Sequence, residues 1–497
     1  MRRLASSILV IVCLEFALLF HHWFVNTPTA AAAQKGQAKL VTTSNKSGTV
    51  KPAQEVSVEL TTVAPPGSTL YWAKRGDSVT LVAHQFLAKT SFLTSSELSE
   101  AIRKANGNYQ STFFKQGQTV IVPGILDSPI SEKTIPVSRD FEVRAIYLTG
   151  LMAGSDHGLH IIKHWREVGG NAVVFDIKDS DGSVNIPFEN PLLGKHHTPL
   201  PDLPKFVHFL HSQDMHAIAR VAIFRDEHLV VSHPELAIKS HRTGQPWREN
   251  GKLVWTDPSQ PKVQEYDIAL AKRAAEAGVD EVQFDYVRFP AEGDQKDASF
   301  YFENEHPQWH RADVIEDFLK HAYAELHPTG VLLSLDVFGV MAWQRPVDLS
   351  HTGQDIVRMA KYCDVLSPMI YPSHFFGMDG YEHPGDAPEH FIGESMDRFE
   401  LITKGSGVVI RPWLQAFHWR TKTYSPQYIE TQVLTAKQKG GIGFLFWNAA
   451  NDYSKPYMAM PEMRTSKGQY FRGDEVPGPV QAVATAAATA VPAKPAE

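Results

Sequence analysis

The chain has 497 residues, enough for two or three domains, and 43% hydrophobic against 21% charged residues supplies material for packed cores. A formal net charge of -7 excludes the dense basic face that a nucleic-acid partner requires. Of the two cysteines, Cys13 falls in the leader and Cys363 far downstream, so no intrachain disulfide is expected in a processed chain.

The first residues, Met1-Arg2-Arg3, precede an apolar run from Leu4 to Phe20 and then the small residues Thr29 to Ala33. A positive start, an apolar middle and a small-residue exit are the three parts of a secretory signal. Glu15 and the His21-His22-Trp23-Phe24 run keep a retained membrane anchor as the alternative. Residues 1–33 therefore read as a signal peptide or anchor. The protein is expected to be exported to the periplasm, cell envelope or extracellular space, touching membrane only through this segment if it stays uncleaved.

Residues 34–66 are rich in Thr, Ser, Lys, Pro and Ala and read as a linker. A small module follows over 67–124. A strand through Leu70-Tyr71-Trp72 meets a turn at Gly76-Asp77, and Ser78 caps a predicted helix over 81–86. A second helix is predicted over 96–104, ahead of Asn106-Gly107, and Gly117 to Pro123 closes the module as a strand. This β-α-α-β order, with the Tyr71 strand, the Gly76-Asp77 turn, Asn106 and the closing strand, resembles the LysM domain. The resemblance implies binding of N-acetylglucosamine-containing glycans such as peptidoglycan, with Tyr71 and Trp72 as candidate stacking surfaces. The stretch 87–98 is longer than that family's usual spacing, and a spacer that binds nothing is the alternative.

Residues 125–140, with Pro129 and Pro136, read as a second linker. Eight apolar, β-rich segments then run through 143–148, 172–177, 216–223, 282–284, 331–338, 365–370, 408–414 and 442–446. Helical patterns lie between most of them, at 159–168, 202–212, 262–277, 311–326, 353–360 and 426–439. Near-continuous apolar strands indicate burial on both faces, as in a parallel sheet. Eight such units over 141–465 predict an α/β fold, a (β/α)8 TIM barrel. A doubly wound open sheet is the runner-up, weakened by the lack of a glycine-rich fingerprint after the first strand. From 466 to 497 the chain is predicted to be a disordered tail.

In such barrels chemistry sits just past the C-terminal strand ends. Those positions here carry Asp176 and Lys178 (strand two), Arg220 (three), Asp285 and Arg288 (four), Asp336 (five), Tyr371 (six), Trp413 and Gln415 (seven), and Trp447 and Asn448 (eight). Cleaving a glycosidic bond takes two carboxyl groups, one to protonate the leaving oxygen and one to attack the anomeric carbon or activate water. Asp285 is expected to be the nucleophile or base and Asp336, in a more apolar stretch, the acid. Arg220 or Arg288 would hold Asp285 ionised. Asp176, Lys178, Arg220, Arg288, Tyr371, Trp413, Gln415, Trp447 and Asn448 are the expected substrate contacts. The structural alternative for each acidic strand end is a cap or an ion pair.

The His157/His160 and His208/His211 pairs lack the glutamate of a zincin, and Cys363 lacks a cysteine partner, so no metal site is predicted. Asp179-Ser180-Asp181-Gly182 reads as a plain turn rather than a calcium loop. No P-loop and no Gly-x-Ser-x-Gly elbow is present, and no cofactor is expected.

The motifs Arg144 to Thr149, Asn171 to Asp179 with Gly182, Phe284-Asp285-Tyr286-Val287-Arg288-Phe289-Pro290, Asp336 to Gly339, Ser367 to Pro372 and Arg411 to Gln415 together resemble the bacterial glycoside hydrolase-like family DUF4015. The resemblance covers 141–465 and implies a TIM barrel acting on glycans, or related to enzymes that do. Compared with amylase-like barrels, Gln283 stands where an arginine usually precedes the strand-four aspartate by two. Two readings remain: a hydrolase of a cell-wall or envelope polysaccharide, peptidoglycan among them, or a non-catalytic glycan-binding envelope protein with a degenerate barrel.

Overall fold

The computed structural model describes residues 63–472. The leader, most of the first linker and the tail beyond 472 lie outside the described residues. The described chain forms two compact units that divide at Leu126 and Asp127.

In the smaller unit, β1 (Ser68–Trp72) pairs antiparallel with β2 (Thr119–Pro123), and α1 (Val79–Phe86) and α2 (Ser95–Ala105) lie between them in sequence. This is the predicted β-α-α-β order. Val79, Val82, Leu98, Ile102, Val120 and Val122 form its core. Asp77 shapes the first turn by accepting from the Tyr71 hydroxyl at 2.6 Å and the Lys74 amide at 2.7 Å. Asn106 ties the end of α2 to β2 by accepting from Ile121 N and donating to Ile121 O. Trp72 is 64% exposed.

In the larger unit eight parallel strands close on themselves: β3 (Val143–Leu148), β4 (Ala172–Lys178), β5 (His216–Ala222), β6 (Glu281–Asp285), β7 (Leu332–Phe338), β8 (Val365–Met369), β9 (Trp413–Gln415) and β10 (Gly443–Trp447). Each pairs with its successor in this series, and β10 pairs with β3, so no edge remains. The expected (β/α)8 barrel is therefore the fold. The seventh predicted strand is split after Val409–Ile410, because Pro412 brings no N–H to the ladder.

The surrounding helices include α3 (Asp156–Val168), α4 (Leu203–Ser212), α5 (Pro261–Glu276), α6 (Arg311–Leu326), α7 (Pro388–Ile402), α8 (Pro426–Gln438) and α9 (Ser454–Thr465). Side chains alternate across a strand, so Val282 and Phe284 of β6 face one way and Glu281, Gln283 and Asp285 the other. The second set crosses the barrel interior. Glu281 meets Arg411 at 2.8 Å and His216 at 3.1 Å, and Gln283 reaches Ser367 at 3.4 Å. Burial works to raise the Glu281 carboxyl, but Arg411 and His216 hold it at about 2.

Two expected boundaries are corrected. From Asp127 the stretch 125–140 is not a free linker but a strap bound across the N-terminal end of the barrel. Thr134 donates to Val279 O at 2.8 Å, Ile135 N to Asp280 at 2.8 Å, and Glu132 accepts from His208 at 2.6 Å. The tail begins later than expected, because Phe471 is buried under the Arg144 guanidinium, 4.7 Å from the ring centre.

Candidate active site

The C-terminal mouth of the barrel gathers three carboxylates around one guanidinium. Registers place Asp176 beside Arg220 and Arg220 beside Gln283. From that level the long Arg220 side chain reaches up to the strand end. It donates to Asp176 Oδ1 and to Asp285 Oδ2, each at 2.5 Å, and its Nε lies 3.8 Å from Asp336 Oδ2. The cation beside Asp285 thus comes from the neighbouring strand, while Gln283 turns to Ser367.

Burial grades the three acids. Asp176 and Asp336 side chains are 0% and 1% exposed, and Asp285 is 11% exposed. Asp285 is therefore the acid that meets the mouth. Its second oxygen accepts from Tyr286 N at 2.6 Å. Tyr286 adopts a left-handed backbone, φ 57, which for a residue with a Cβ costs about 1–2 kcal/mol and turns the chain sharply off the strand.

Burial and the adjacent Asp285 charge push the Asp336 carboxyl well above the ordinary carboxylate range, against the opposing pull of Arg220 and Trp413. Asp336 so favours its protonated form beside Asp285, while its Oδ1 accepts from Trp413 Nε1 at 2.7 Å. Burial likewise lifts Asp176 to about 7, with Arg220 and Tyr147 pulling the other way. Tyr147 donates its hydroxyl to Asp176 Oδ2, and its ring lies 5.6 Å from the Arg220 guanidinium carbon.

The rim next to these acids is aromatic. The half-buried Trp447 ring lies 6.2 Å from Tyr147, 6.0 Å from Tyr371 and 5.4 Å from Phe417. Tyr371 is buried close to both Asp336 and Asp285, and its phenol is pushed far up by that burial and by the two acids. Arg288 is stacked near Trp255, Tyr286 and Phe338.

The structure brings together Asp176, Arg220, Asp285, Asp336, Tyr371 and Trp447, and places Arg288 beside them. Four expected substrate contacts are corrected. The register slips between Asp176 and Lys178, which puts Lys178 on the helix side of β4. Its ammonium there meets Asp226 at 3.1 Å, Asp267 of α5 at 3.7 Å and Ala222 O at 2.6 Å. Trp413 is buried and serves Asp336 rather than a ligand. Gln415 spends its amide on Ser373 N and Phe417 O. Asn448 spends its amide on Ala416 O, Asp452 O and Ala450 N. The Asp179–Gly182 stretch is the expected turn, with Gly182 N donating to Asp179 O at 3.0 Å. A Cβ on Gly182 would lie 2.0 Å from Asp226 Oδ1, so the turn needs glycine to pack there.

Sequence reasoning missed Tyr147 as a site residue. The signal was available, because Val143, Ala145 and Tyr147 share one face by the two-residue period. Phe417 carried no such signal, lying beyond the strand in an irregular loop.

No curated protein matches the chain. Among solved structures, a hypothetical protein from Ruminiclostridium thermocellum ATCC 27405 is 37% identical over 39% of this chain and 97% of that one, with a TM-score of 0.35. The glycoside hydrolase domain of PgaB (BpsB) from Bordetella bronchiseptica is 14% identical over 67% of this chain and 99% of its own, with a TM-score of 0.50, and shares the fold. The α-galactosidase TtGalA from Thermus thermophilus is 13% identical over 73% of this chain and 68% of its own, at a TM-score of 0.42. Residues 145–453, more than half of the chain, match DUF4015, described as "Putative glycosyl hydrolase domain", and the chain belongs to that family.

Proposed function

We propose that the barrel hydrolyses glycosidic bonds in a cell-wall or envelope polysaccharide. One observation carries the reading: Asp285 alone of three clustered acids reaches the mouth, and on the adjacent strand burial and the Asp285 charge push the Asp336 carboxyl towards its protonated form. A buried carboxyl that favours its proton beside a more exposed one forms the pairing that glycosidic cleavage uses. Asp285 acts as nucleophile or base at the anomeric carbon, and Asp336 protonates the leaving oxygen. Arg220 orients Asp285 and balances its charge, with Asp176 and Tyr147 fixing its other side. Trp447 offers an apolar face to a sugar ring.

The smaller unit resembles a glycan-binding LysM module, and a glycan held there raises the effective concentration of polymer at the barrel. The chain acts outside the cytoplasm, as its leader pattern implies.

Reducing-end release from a panel of envelope and capsular polysaccharides, peptidoglycan included, tests this with the full chain and Asp285→Asn. Release by the native chain, lost in the variant while binding persists, supports the reading. Equal binding by both without release from any polymer overturns it in favour of a glycan-binding barrel.

A further inference from the structure

Arg288 differs from every other buried guanidinium at this end of the barrel. It is 7% exposed, and its Nη1 donates to a neighbouring carbonyl, Phe289 O, at 3.0 Å. Among the described residues no carboxylate lies within ion-pair distance of it, and Nε and Nη2 donate to no protein atom. Those two nitrogens still touch solvent, unlike Nε and Nη2 of Arg411, which are sealed inside the barrel beside Glu281. Arg220 is matched by Asp176 and Asp285, and Arg225 by Glu227 at 3.1 Å.

Three rings hold the Arg288 guanidinium in place. Its carbon lies 4.5 Å from the Phe338 ring centre, 4.8 Å from Trp255 and 5.3 Å from Tyr286. Tyr286 follows Asp285 directly, and Phe338 stands two residues past Asp336. The guanidinium therefore stands beside the two strand ends that carry Asp285 and Asp336. Glu249 and Asp285 act on this cation only from beyond ion-pair distance, and a rigid planar fork favours a two-oxygen anion as its direct partner.

We propose that Arg288, in the box formed by Trp255, Tyr286 and Phe338, is a subsite for an anionic substituent on the glycan, so that the substrate carries carboxylate, phosphate or sulfate groups. This rests on the hydrolase reading for its place beside the scissile bond. The cation itself is available to a ligand whether or not the barrel cuts.

The test has a binding arm and a turnover arm. In the binding arm, glucuronate, glucose 6-phosphate and glucose are titrated into full-chain Asp285→Asn while arginine Nε–H resonances are followed by NMR. The Arg288 signal, assigned by its loss in Arg288→Lys, moves with the acidic sugars and not with glucose. The two acids distinguish a carboxylate from a phosphate substituent. In the turnover arm, Arg288→Gln raises KM about 10- to 100-fold on an acidic polysaccharide and by a clearly smaller factor on its carboxyl-reduced form, as expected for loss of a charge-assisted pair. Arg288→Lys recovers part of the loss.

An Arg288 signal indifferent to both acids, or equal losses on charged and reduced polymer, overturns the subsite and leaves the hydrolase reading standing. Acid binding at Arg288 without cleavage of any polymer overturns the hydrolase reading and leaves the subsite.

Discussion

Asp176 offers a measurable consequence of the burial that organises the site. Its carboxyl ionises at an ordinary 3.8 in the unfolded chain and at about 7 in the folded one, because burial outweighs Arg220 and Tyr147. Between those values the folded chain holds a proton that the unfolded chain has lost, so stability falls as pH rises through the window. The separation spans about three pH units, and at 1.36 kcal/mol each this is about 4 kcal/mol. Asp176→Asn removes the ionisation while keeping an oxygen for Arg220. Urea unfolding of both proteins from about pH 4 to about pH 8 gives a difference curve. Asp267 and Asp257, which ionise at about 7 and about 6, cancel in it. The stability of the native chain relative to the variant is expected to drop by about 4 kcal/mol across the range, most of it before pH 7. A flat difference curve would refute the reasoning, because Asp176 would then ionise as easily inside the barrel as outside.

Asp336→Asn imitates the protonated acid and keeps the Trp413 bond, so stability should change by less than about 1 kcal/mol while kcat falls roughly 10²- to 10⁴-fold. An aryl glycoside whose leaving group needs no proton should recover most of that rate. Trp413→Phe strands a buried Asp336 oxygen and should cost about 1–3 kcal/mol in urea unfolding. At the opposite end of the barrel, burial works to lower His211, but Asp280 and Glu132 raise it above its ordinary 6.5. The stabilisation it lends the strap is fully present below that value and is lost as pH rises through the higher folded one. Amide exchange at Ile135, which donates to Asp280, should therefore speed up beyond the intrinsic base-catalysed increase, and His211→Gln should remove the excess.

The barrel was legible because its strands obey a simple rule. Ala172 to Ile177 and His216 to Ala222 are buried without interruption, as a parallel sheet covered by helices requires. Two of the longer helices escaped prediction for local reasons. The α7 pattern of Phe391, Ile392, Met396 and Phe399 is interrupted by Gly393, and α9 contains Pro461, which reads as a breaker. The central acids could be read from strand ends, since β6 must deliver Asp285 to the mouth. Their partners could not. A register slip after Asp176 sends Lys178 outward, and no spacing in the sequence records it. Trp413 looked like a sugar platform, yet its distance in sequence from Asp336 hid the 2.7 Å bond between them. Residues 127–140 lacked periodicity because a strap binds through single contacts such as Thr134 and Ile135 rather than a continuous face.

The most direct test of the central claim is the mass of the products released from an acidic envelope polysaccharide by the full chain and by Asp285→Asn. Hydrolysis adds one water for each bond cut, and this is the predicted result for the native chain, with no products from the variant. Fragments that carry no added water would show elimination instead, and fragments released equally by Asp285→Asn would remove Asp285 from the chemistry.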